Sequence, residues 1–426
     1  MMTNTFTPHV GGVARSVVAF SELFRRLGHR VIVVAPEFEN MPDHEADVIR
    51  IPAMQDFNGS GFSVAMSIPG FLTSRLEDFK PGIVHAHHPF LLGNTALRVA
   101  HAHDIPLVFT HHTMYEHYTH YIPGDGETLR EFAVKLSTGY ANLCDRVIAP
   151  SESVAHILEE RGIRTPISSI PTGVDVERFA RGDGAGFRLR HGIPAKGWVV
   201  GHLGRLAPEK NQAFLARAVA GFLSREGRAH YLVIGSGPSQ EEIRAIFDQA
   251  GAGDRLHLVG TLQGEELVDA YHAMDSFAFA SRSETQGMVL TEAMAAGVPV
   301  VALDAPGARE VVRDGVNGRL LPSEDLASFT AALAGHAALA AAEREVWRRA
   351  ALGTAEEFSM ERCARRTLEA YDQTRRMRRP RHELDAEVGI FESLFEQFKA
   401  EWGLLAMVAT AAAATLRHPA GAARHE

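Results

Sequence analysis

The sequence of 426 residues contains only two cysteines, Cys144 and Cys363. So few cysteines exclude a disulfide framework and a cysteine-based zinc knuckle, and they are typical of a protein from a reducing compartment. An excess of basic residues is also missing, since the formal net charge is −9 and the isoelectric point is 6.2. An acidic balance of this kind disfavours nucleic acid as a partner.

Long apolar runs are absent as well. The longest, residues 402–416, has 15 residues and is rich in alanine, whereas a membrane-spanning helix needs about 20. Residues 1–30 lack the basic start and apolar core of a secretory signal. No segment repeats at a fixed period, which argues against a solenoid. We therefore expect a cytoplasmic protein.

Short apolar runs alternate with helical patterns along the chain, in two series. The first series comprises residues 31–35, 83–86, 107–110 and 146–149, and the second comprises residues 198–202, 231–234, 256–259, 276–280 and 299–303. Strands that alternate with helices build parallel sheets. The sequence therefore predicts an α/β fold with two Rossmann-like, doubly wound domains. A large ligand is expected in the cleft between them, at the carboxyl ends of the strands.

The two ends of the chain each leave two interpretations open. At the start, residues 5–14 read as a strand-to-helix loop with almost no strand before it. Either the natural chain begins earlier, or residues 2–6 form a shortened strand. At the other end, residues 362–381 hold eight arginines, and residues 387–405 carry apolar side chains on one helix face. This tail either docks on a domain or attaches peripherally to an anionic membrane surface.

Residues 281–300 form the most informative block. Glu284 and Glu292 lie eight positions apart around a predicted turn, and a helix is expected from about Gly287 to the glycine stop at Gly297. A helix N-terminus at the carboxyl end of a parallel strand presents free N–H groups and a favourable dipole to an anion. Spacing alone favours two solvated glutamates, but Glu292 lies in an otherwise apolar helix and Glu284 has no obvious partner. The block therefore predicts a site for a diphosphate and polar hydroxyls.

Two further loops carry groups suited to phosphate. Arg205 and Lys210 follow the predicted strand 198–202, where they can neutralise a diphosphate leaving group, although a solvated basic loop has the same pattern. Gly11 and Gly12 allow close approach of the backbone to a phosphate. Residues 235–239 lack the third glycine of a dinucleotide fingerprint, so we interpret them as a helix-capping turn.

Histidines are abundant, 22 in all, and several follow two neighbouring predicted strands: His85, His87, His88, His111, His112, His117 and His120. A metal site, and with it a metal-dependent hydrolase, is one interpretation. No carboxylate set or cysteine stands at ligand spacing among them, so histidines that line a polar cleft are the favoured interpretation. His112, at the carboxyl end of a predicted strand, is the one placed to meet a sugar.

Taken together, these motifs resemble the retaining GT-B glycosyltransferases that use nucleotide-sugar donors (family 4-like, group 1). The resemblance covers most of residues 5–375, and it rests on the loop at residues 8–12, the linker at residues 171–175, Gly204-Arg205 with Lys210, and the block from Glu284 to Glu292. It implies an N-terminal acceptor domain over residues 1–180, a donor domain over residues 181–360, and a crossover helix with a helical tail over residues 361–426.

The same resemblance implies an activity and a role for each candidate residue. The activity is transfer of a hexose from a nucleotide sugar with retention at the anomeric carbon and without a metal or other cofactor. It implies that Arg205 and Lys210 bind the donor diphosphate, with backbone contacts from Gly11 and Gly12. Glu292 is expected to bind the ribose, and Glu284 and His112 the donor sugar. Backbone groups near sugar and phosphate are expected from Gly287, Met288 and Val289. Glu284, His112, Arg205 and Lys210 are the expected catalytic residues.

One segment bears on the acceptor. Residues 109–122, with residues 85–93 upstream, are similar to the diacylglycerol glucosyltransferases, which move glucose onto a lipid at the membrane surface. This likeness favours UDP-glucose as the donor and diacylglycerol or another membrane lipid as the acceptor. The negative net charge departs from the basic lipid-facing domain expected of that branch, so a soluble sugar or metabolite stays open. The loop and helix motifs disfavour a non-enzymatic binding scaffold and a sugar-nucleotide epimerase.

Overall fold

Two α/β units make up the described part of the chain, and each has helices packed on both faces of parallel strands. The computed structural model describes residues 1–9, 11–54, 64–65, 72–114, 126–282 and 284–377, together with residue 389. Apart from residue 389, the apolar helix predicted over residues 387–405 lies outside the described residues. So do residues 402–416 and residues 115–122 of the histidine-rich segment.

The N-terminal unit contains the first series of strands. These are β1 (Val33–Pro36), β2 (Val48–Ile51), β3 (Ala53–Met54), β4 (Val64–Ala65), β5 (Val84–Ala86), β6 (Leu107–Thr110), β7 (Arg146–Ala149) and β8 (Ile167–Ser169). Its helices are α1 (Gly12–Arg26), α2 (Thr73–Phe79), α3 (Leu92–Ala102), α4 (Gly126–Leu143) and α5 (Glu152–Glu160). In α1 the buried side chains of Ala14, Val17, Phe20 and Phe24 recur at helical spacing and face the sheet.

The sheet of the N-terminal unit is continued by the first residues of the chain. Strands β5 to β8 pair in parallel in that order, β1 pairs with β2, and β3 and β4 form a separate antiparallel pair. Met2 forms parallel bridges to both Val34 and Ala86. The order is therefore β2-β1-Met2-β5-β6-β7-β8, with a very short central strand at Met2, in keeping with the shortened strand that the sequence offered as one explanation. The alternative, an earlier start of the natural chain, stays a prediction.

The C-terminal unit contains the second series. Its strands are β9 (Trp198–Leu203), β10 (Ala229–Ile234), β11 (Leu256–Leu258), β12 (Ser276–Phe279), β13 (Val300–Leu303) and β14 (Gly318–Leu321). Its helices are α6 (Val176–Phe179), α7 (Gly184–Arg190), α8 (Gln212–Leu223), α9 (Gln240–Gln249), α10 (Gly264–His272), α11 (Met288–Ala295), α12 (Leu326–Ala338) and α13 (Ala341–Glu357), with a last helix, α14 (Met360–Arg376), and a short 3₁₀ helix over Pro208–Lys210.

All six strands of this sheet are parallel, in the order β11-β10-β9-β12-β13-β14. This is the doubly wound order of Rossmann domains, in which the chain turns outward on both sides of the first strand. The loops after β9 and β12 therefore leave neighbouring strands at the switch point, where such sheets bind ligands. The α/β prediction is confirmed in both units.

Two segments connect the units, and they pair with each other. Val174 and Ser359 form an isolated parallel bridge: the Val174 N–H donates to the Phe358 carbonyl and the Met360 N–H to the Val174 carbonyl, each at 2.9 Å. Helix α14 then packs against α1 of the N-terminal unit, where Met360 and Tyr371 are buried. Buried hydrogen bonds fix this crossing, from His85 Nδ1 to the Tyr371 hydroxyl at 2.5 Å and from Arg146 Nε to Thr374 Oγ1 at 2.7 Å.

The core of the C-terminal unit begins a few residues before position 181. Val174 and Phe179 are buried in that core together with Phe187. Within the described part of the chain, no single helix is long and apolar enough to cross a membrane. Among the described helices, only α12 and α13 taken together, as a pair bent by 111°, have the length and composition of a membrane span.

Candidate functional site

The loops after β9 and β12 meet through a half-buried ion pair. Lys210 ends the 3₁₀ helix that follows β9, and its Nζ donates to Glu284 Oε1 at 2.5 Å. The Lys210 side chain is 16% exposed and that of Glu284 is 22% exposed, so the pair is largely shielded from water. The sequence offered no partner for Glu284; the partner lies 74 positions away and is brought near by the order of the sheet.

The expected helix opens directly after this pair. Gly287 caps α11 in the left-handed conformation, with φ at +69°, and α11 runs to Ala295, before Gly297 at φ +76°. Met288 and Val289 form its first turn, with N–H groups that have no partner inside the helix. The predicted turn, glycine start and glycine stop are confirmed. The first turn of α11 therefore presents backbone donors next to Lys210 and Glu284.

Glu292 is held from both units. Its side chain is only 6% exposed and faces inward from α11. The Tyr271 hydroxyl donates to Oε2 at 2.8 Å, and Arg15 Nη1, from α1 of the N-terminal unit, donates to Oε1 at 3.2 Å. Burial, and then the charge of Glu292, raise the pKa of Tyr271 well above its usual value, so this hydroxyl remains a donor. The same hydroxyl contacts the Val289 carbonyl at 3.4 Å.

Arg205 lies in the same loop as Lys210 and has a different acidic partner. Its side chain is 43% exposed and forms an ion pair with Glu209. The loop that carries it is supported by residues 235–239, because Leu206 N–H donates to the Ser236 carbonyl at 3.0 Å and Ser239 N–H donates to the Leu206 carbonyl at 2.8 Å. Residues 235–239 do precede a helix, α9, as predicted. The sequence did not reveal that they also hold the Arg205 loop in place.

On the opposite side of the cleft, His112 follows β6 as predicted. Its backbone carbonyl accepts a hydrogen bond from Thr285 Oγ1 at 3.0 Å, which links it to the Glu284 loop. Its ring Nε2 lies 2.9 Å from His87 Nδ1. Burial, followed by the nearby His88 and His111, lowers the pKa of His112 to about 3, so the ring is neutral at physiological pH.

Gly11 and Gly12 begin α1. Gly11 is the extended N-cap residue and provides no side-chain cap, so the first N–H groups of the helix are left for another acceptor. A β-carbon on Gly12 would have no described heavy atom within 4 Å. The loop before them is fixed by Arg50, whose Nη2 donates to the Thr7 carbonyl at 2.7 Å and whose guanidinium lies 5.3 Å from the centre of the Phe6 ring.

The turn after β13 is a part of the site that was not predicted from the sequence. Gly307 has φ at +84°, and a β-carbon there would lie 2.9 Å from the Gln286 carbonyl carbon and 3.0 Å from Glu284 Cβ. Gln286 Oε1 in turn accepts from the Thr172 N–H at 2.9 Å, in the linker between the units. Pro306-Gly307 after a predicted strand is a turn signal that could have indicated this loop. Its contact with the Glu284 turn is visible only in three dimensions.

Several of the clustered histidines serve as structural hydrogen-bond groups. His85 contacts the Tyr371 hydroxyl and, through Nε2, Thr110 Oγ1 at 2.7 Å, while His87 contacts His112. Within the described ranges, no three His, Cys, Asp or Glu side chains are grouped so that they could hold a metal ion. His117 and His120 lie outside those ranges. The hydrolase interpretation therefore gains no support from the described histidines.

Known protein families match most of the chain. Residues 10–178 match the family model for Glycosyltransferase Family 4, and residues 187–351 match that for Glycosyl transferases group 1. An alpha-monoglucosyldiacylglycerol synthase of Streptococcus pneumoniae is 30% identical over 342 residues, which are 77% of this chain and 76% of that protein. A GDP-mannose-dependent alpha-mannosyltransferase of Mycobacterium tuberculosis is 30% identical over 335 residues, 76% of this chain and 83% of that protein.

Solved structures share the arrangement of the two units. The crystal structure of Anabaena HepE in complex with UDP and glucose aligns with a TM-score of 0.67 at 20% identity, over 87% of this chain and 98% of that one. Sucrose-phosphate synthase from Thermosynechococcus elongatus aligns with a TM-score of 0.69 at 19% identity, over the same shares. At such identities the likeness shows the fold alone.

Proposed function

The chain belongs to the group 1 glycosyltransferases and has their GT-B fold, and from this premise we propose the reaction that it catalyses. It moves a hexose from a nucleotide sugar to an acceptor hydroxyl and retains the anomeric configuration. UDP-glucose is the favoured donor. The observation that carries the proposal is the shielded Lys210–Glu284 pair beside the first turn of α11, at the switch point of the donor sheet.

The geometry suits a departing diphosphate. As the bond from the sugar C1 to the phosphate oxygen breaks, negative charge collects on the diphosphate, and Lys210 with the N–H groups of Met288 and Val289 can stabilise it. An ammonium group has three N–H donors, so Lys210 can contact Glu284 and a phosphate oxygen together. Arg205 supplies a second positive charge from the same loop. These charges take the part that a divalent cation plays in other transferases, so the proposed reaction needs none.

Retention follows from attack on the same face of the sugar. In this step the acceptor oxygen bonds to C1 while the leaving phosphate oxygen accepts the acceptor's proton. Glu284 and the neutral His112 ring hold sugar hydroxyls, and Glu292, already in a polar pocket with Tyr271, binds the ribose hydroxyls. Gly11 and Gly12 add N–H contacts to the phosphates from the opposite unit.

The acceptor is proposed to be diacylglycerol or another membrane lipid. The similarity to a monoglucosyldiacylglycerol synthase supports this choice, together with residues 109–122 and the upstream residues 85–93. The protein then works at the cytoplasmic face of the membrane, with peripheral contact through residues 387–405. A soluble sugar or metabolite is the alternative acceptor. GDP-mannose is the second donor to consider, because the GDP-mannose-dependent relative has the same sequence identity to this chain, 30%, as the diacylglycerol-related one.

The first prediction concerns Glu284. Glu284→Ala removes the carboxylate that orients Lys210 and meets the sugar, and loss of one preorganised polar group of this kind lowers kcat by about 10²–10³-fold. The assay is glucose transfer from UDP-glucose to diacylglycerol in mixed micelles. Glu345→Ala is the control, since Glu345 pairs only with surface arginines of α13 among the described residues. Near-normal turnover of Glu284→Ala would contradict the assignment.

The identities of the donor and the acceptor can be tested with the same purified protein. UDP-glucose, UDP-galactose, UDP-N-acetylglucosamine and GDP-mannose are compared by the rise in melting temperature and by slow donor hydrolysis. Chelator should leave transfer unchanged. Sedimentation with anionic vesicles, with the full chain against a chain ending at residue 377, tests the role of the tail. A UDP-dependent shift without transfer to lipid would favour a soluble acceptor.

A further inference from the structure

We propose that Glu310 is a positioning residue that links the approach of the two units to the geometry of the Glu284 loop. The inference rests on the proposed function, because it assigns Glu284 to the donor sugar. Glu310 lies in the turns after β13, is half-buried, and belongs to none of the motifs that the sequence singled out. Its two carboxylate oxygens accept hydrogen bonds from backbone N–H groups of different units.

The first oxygen reaches across the cleft. Ser153 N–H donates to Glu310 Oε1 at 3.0 Å, and Ser153 lies in the first turn of α5 in the N-terminal unit. In that turn Ser151 Oγ accepts a hydrogen bond from the Val154 N–H at 3.3 Å, so this N–H is capped within the N-terminal unit. The Ser153 N–H is instead satisfied by an acceptor from the C-terminal unit. The helix dipole also favours a carboxylate at this end.

The second oxygen fixes the turn under the Glu284 loop. Gly307 N–H donates to Glu310 Oε2 at 2.7 Å. Gly307 packs so closely against residues 284–287 that an added β-carbon would approach the Gln286 carbonyl carbon and the Gly287 nitrogen to 2.9 and 3.0 Å. A shift of Gly307 toward residues 284–287 would therefore displace the turn that carries Glu284 and opens α11.

A single carboxylate thus connects α5 to the turn under the Glu284 loop through two hydrogen bonds from backbone N–H groups. Among the described residues Glu310 takes part in no ion pair, so its partners in the structure are these two N–H groups. When the units move apart, the bond to Ser153 breaks and Gly307 loses the fixed carboxylate that holds its turn. We therefore expect the Glu284 loop to be better ordered when the cleft is closed.

Three variants separate this role from a purely structural one. Glu310→Ala removes both bonds, and Glu310→Gln keeps a single acceptor oxygen. Ser153→Pro removes only the cross-unit donor, at a position in the first helical turn where proline is tolerated. Glu345→Ala is the matched surface control. Each is compared with the wild type by hydrogen exchange of the peptides that cover residues 152–156 and 284–290, and by kcat and KM for UDP-glucose.

For Glu310→Ala we expect exchange about tenfold faster in both peptides and kcat about tenfold lower, the effect of one ordinary net hydrogen bond. The UDP-induced melting shift should stay unchanged, because Lys210 and Glu292 keep their partners. Glu310→Gln and Ser153→Pro should speed exchange at residues 284–290 by smaller factors. Unchanged exchange at residues 284–290 in Glu310→Ala, or in Ser153→Pro, would overturn the inference. Failure of the wild type to transfer from any donor would instead overturn the proposed function. The two failures can be told apart because hydrogen exchange is measured without any transfer reaction.

Discussion

At the scale of single residues, the site is built from charges whose partners come from distant parts of the chain. Glu292 shows this clearly, because one oxygen is held by Tyr271 of its own unit and the other by Arg15 of the opposite unit. The two donors provide hydrogen bonds to carboxylate oxygens that are buried away from water. In the proposed site, the ribose hydroxyls would share this carboxylate with an arginine that approaches from across the cleft.

Replacing Glu292 by glutamine should weaken UDP binding strongly. The change removes the charge that accepts from Arg15 and, in the proposed site, from the ribose hydroxyls; hydrogen bonds to charged groups contribute about 1.5–3 kcal/mol, or roughly 10–150-fold in Kd. Calorimetric titration with UDP measures the loss. Tyr271→Phe is the companion variant, which keeps the charge and should cost several-fold less. UDP affinity equal to that of the wild type in Glu292→Gln would remove this residue from the nucleotide site.

At the scale of elements, a close glycine contact sets the position of the Glu284 turn. Gly307→Ala introduces a side chain at φ +84° that would meet the backbone of Gln286 at 2.9 Å. We expect a loss of stability of about 1–3 kcal/mol from the strained backbone, and at least tenfold slower transfer, because the turn has to shift.

Gly315→Ala provides the matched control for this glycine. Gly315 also has a positive φ, +71°, but a β-carbon there would have no described atom within 4 Å. It should show the stability cost alone, measured by urea denaturation, with normal kcat. Equal kcat values for the two alanine variants would show that Gly307 does not position the turn.

Elements with a strong local pattern could be predicted from the sequence, and those without one could not. The predicted strands at residues 107–110 and 146–149 coincide with β6 and β7, which are buried along their whole length. Strands β8 and β14 were missed because they are only partly buried and contain few apolar residues. The pair β3 and β4 was missed because each strand has two residues.

The candidate site divides in the same way. The sequence identified the acidic and basic residues, because motifs and strand ends are local features. It could not identify the Lys210–Glu284 contact or the Arg15–Glu292 contact, since both depend on which strands and units lie side by side. Arg50 and Glu310 were missed because each has a partner that is a backbone group far away in sequence, Thr7 for Arg50 and Ser153 for Glu310. Whether the candidate residues bind the donor stays a prediction.

At the scale of the whole molecule, buried neutral histidines make stability depend on pH. Burial is the first cause that lowers the pKa of six of them: to about 4 for His88, His202 and His336, to about 3 for His112, and well below the usual value for His85 and His87. In the unfolded chain these rings titrate near 6.5. Between about pH 4 and 6.5 the unfolded chain therefore binds more protons than the folded one.

The free energy of unfolding should accordingly be highest above pH 6.5 and fall as the pH is lowered toward 4. The slope is about 1.4 kcal/mol per pH unit for each ring that takes up its proton only on unfolding. Urea unfolding at pH 7.5, 6.0 and 5.0 measures it. His156→Gln, at a ring whose side chain is 77% exposed, should leave the slope unchanged. Constant stability from pH 7.5 to 5.0 would contradict the prediction.

The two connections between the units meet at one point, where Val174 and Ser359 are bridged. Gly173 packs against Met360 there, at a distance where a β-carbon would lie 2.9 Å from the Met360 α-carbon. Two covalent crossings bonded to each other act as one pivot, so sliding of one unit along the other is resisted and rotation about this point is the softest motion. Groups close to the pivot then change their separation least, while those at the far rim of the cleft swing through the widest arc.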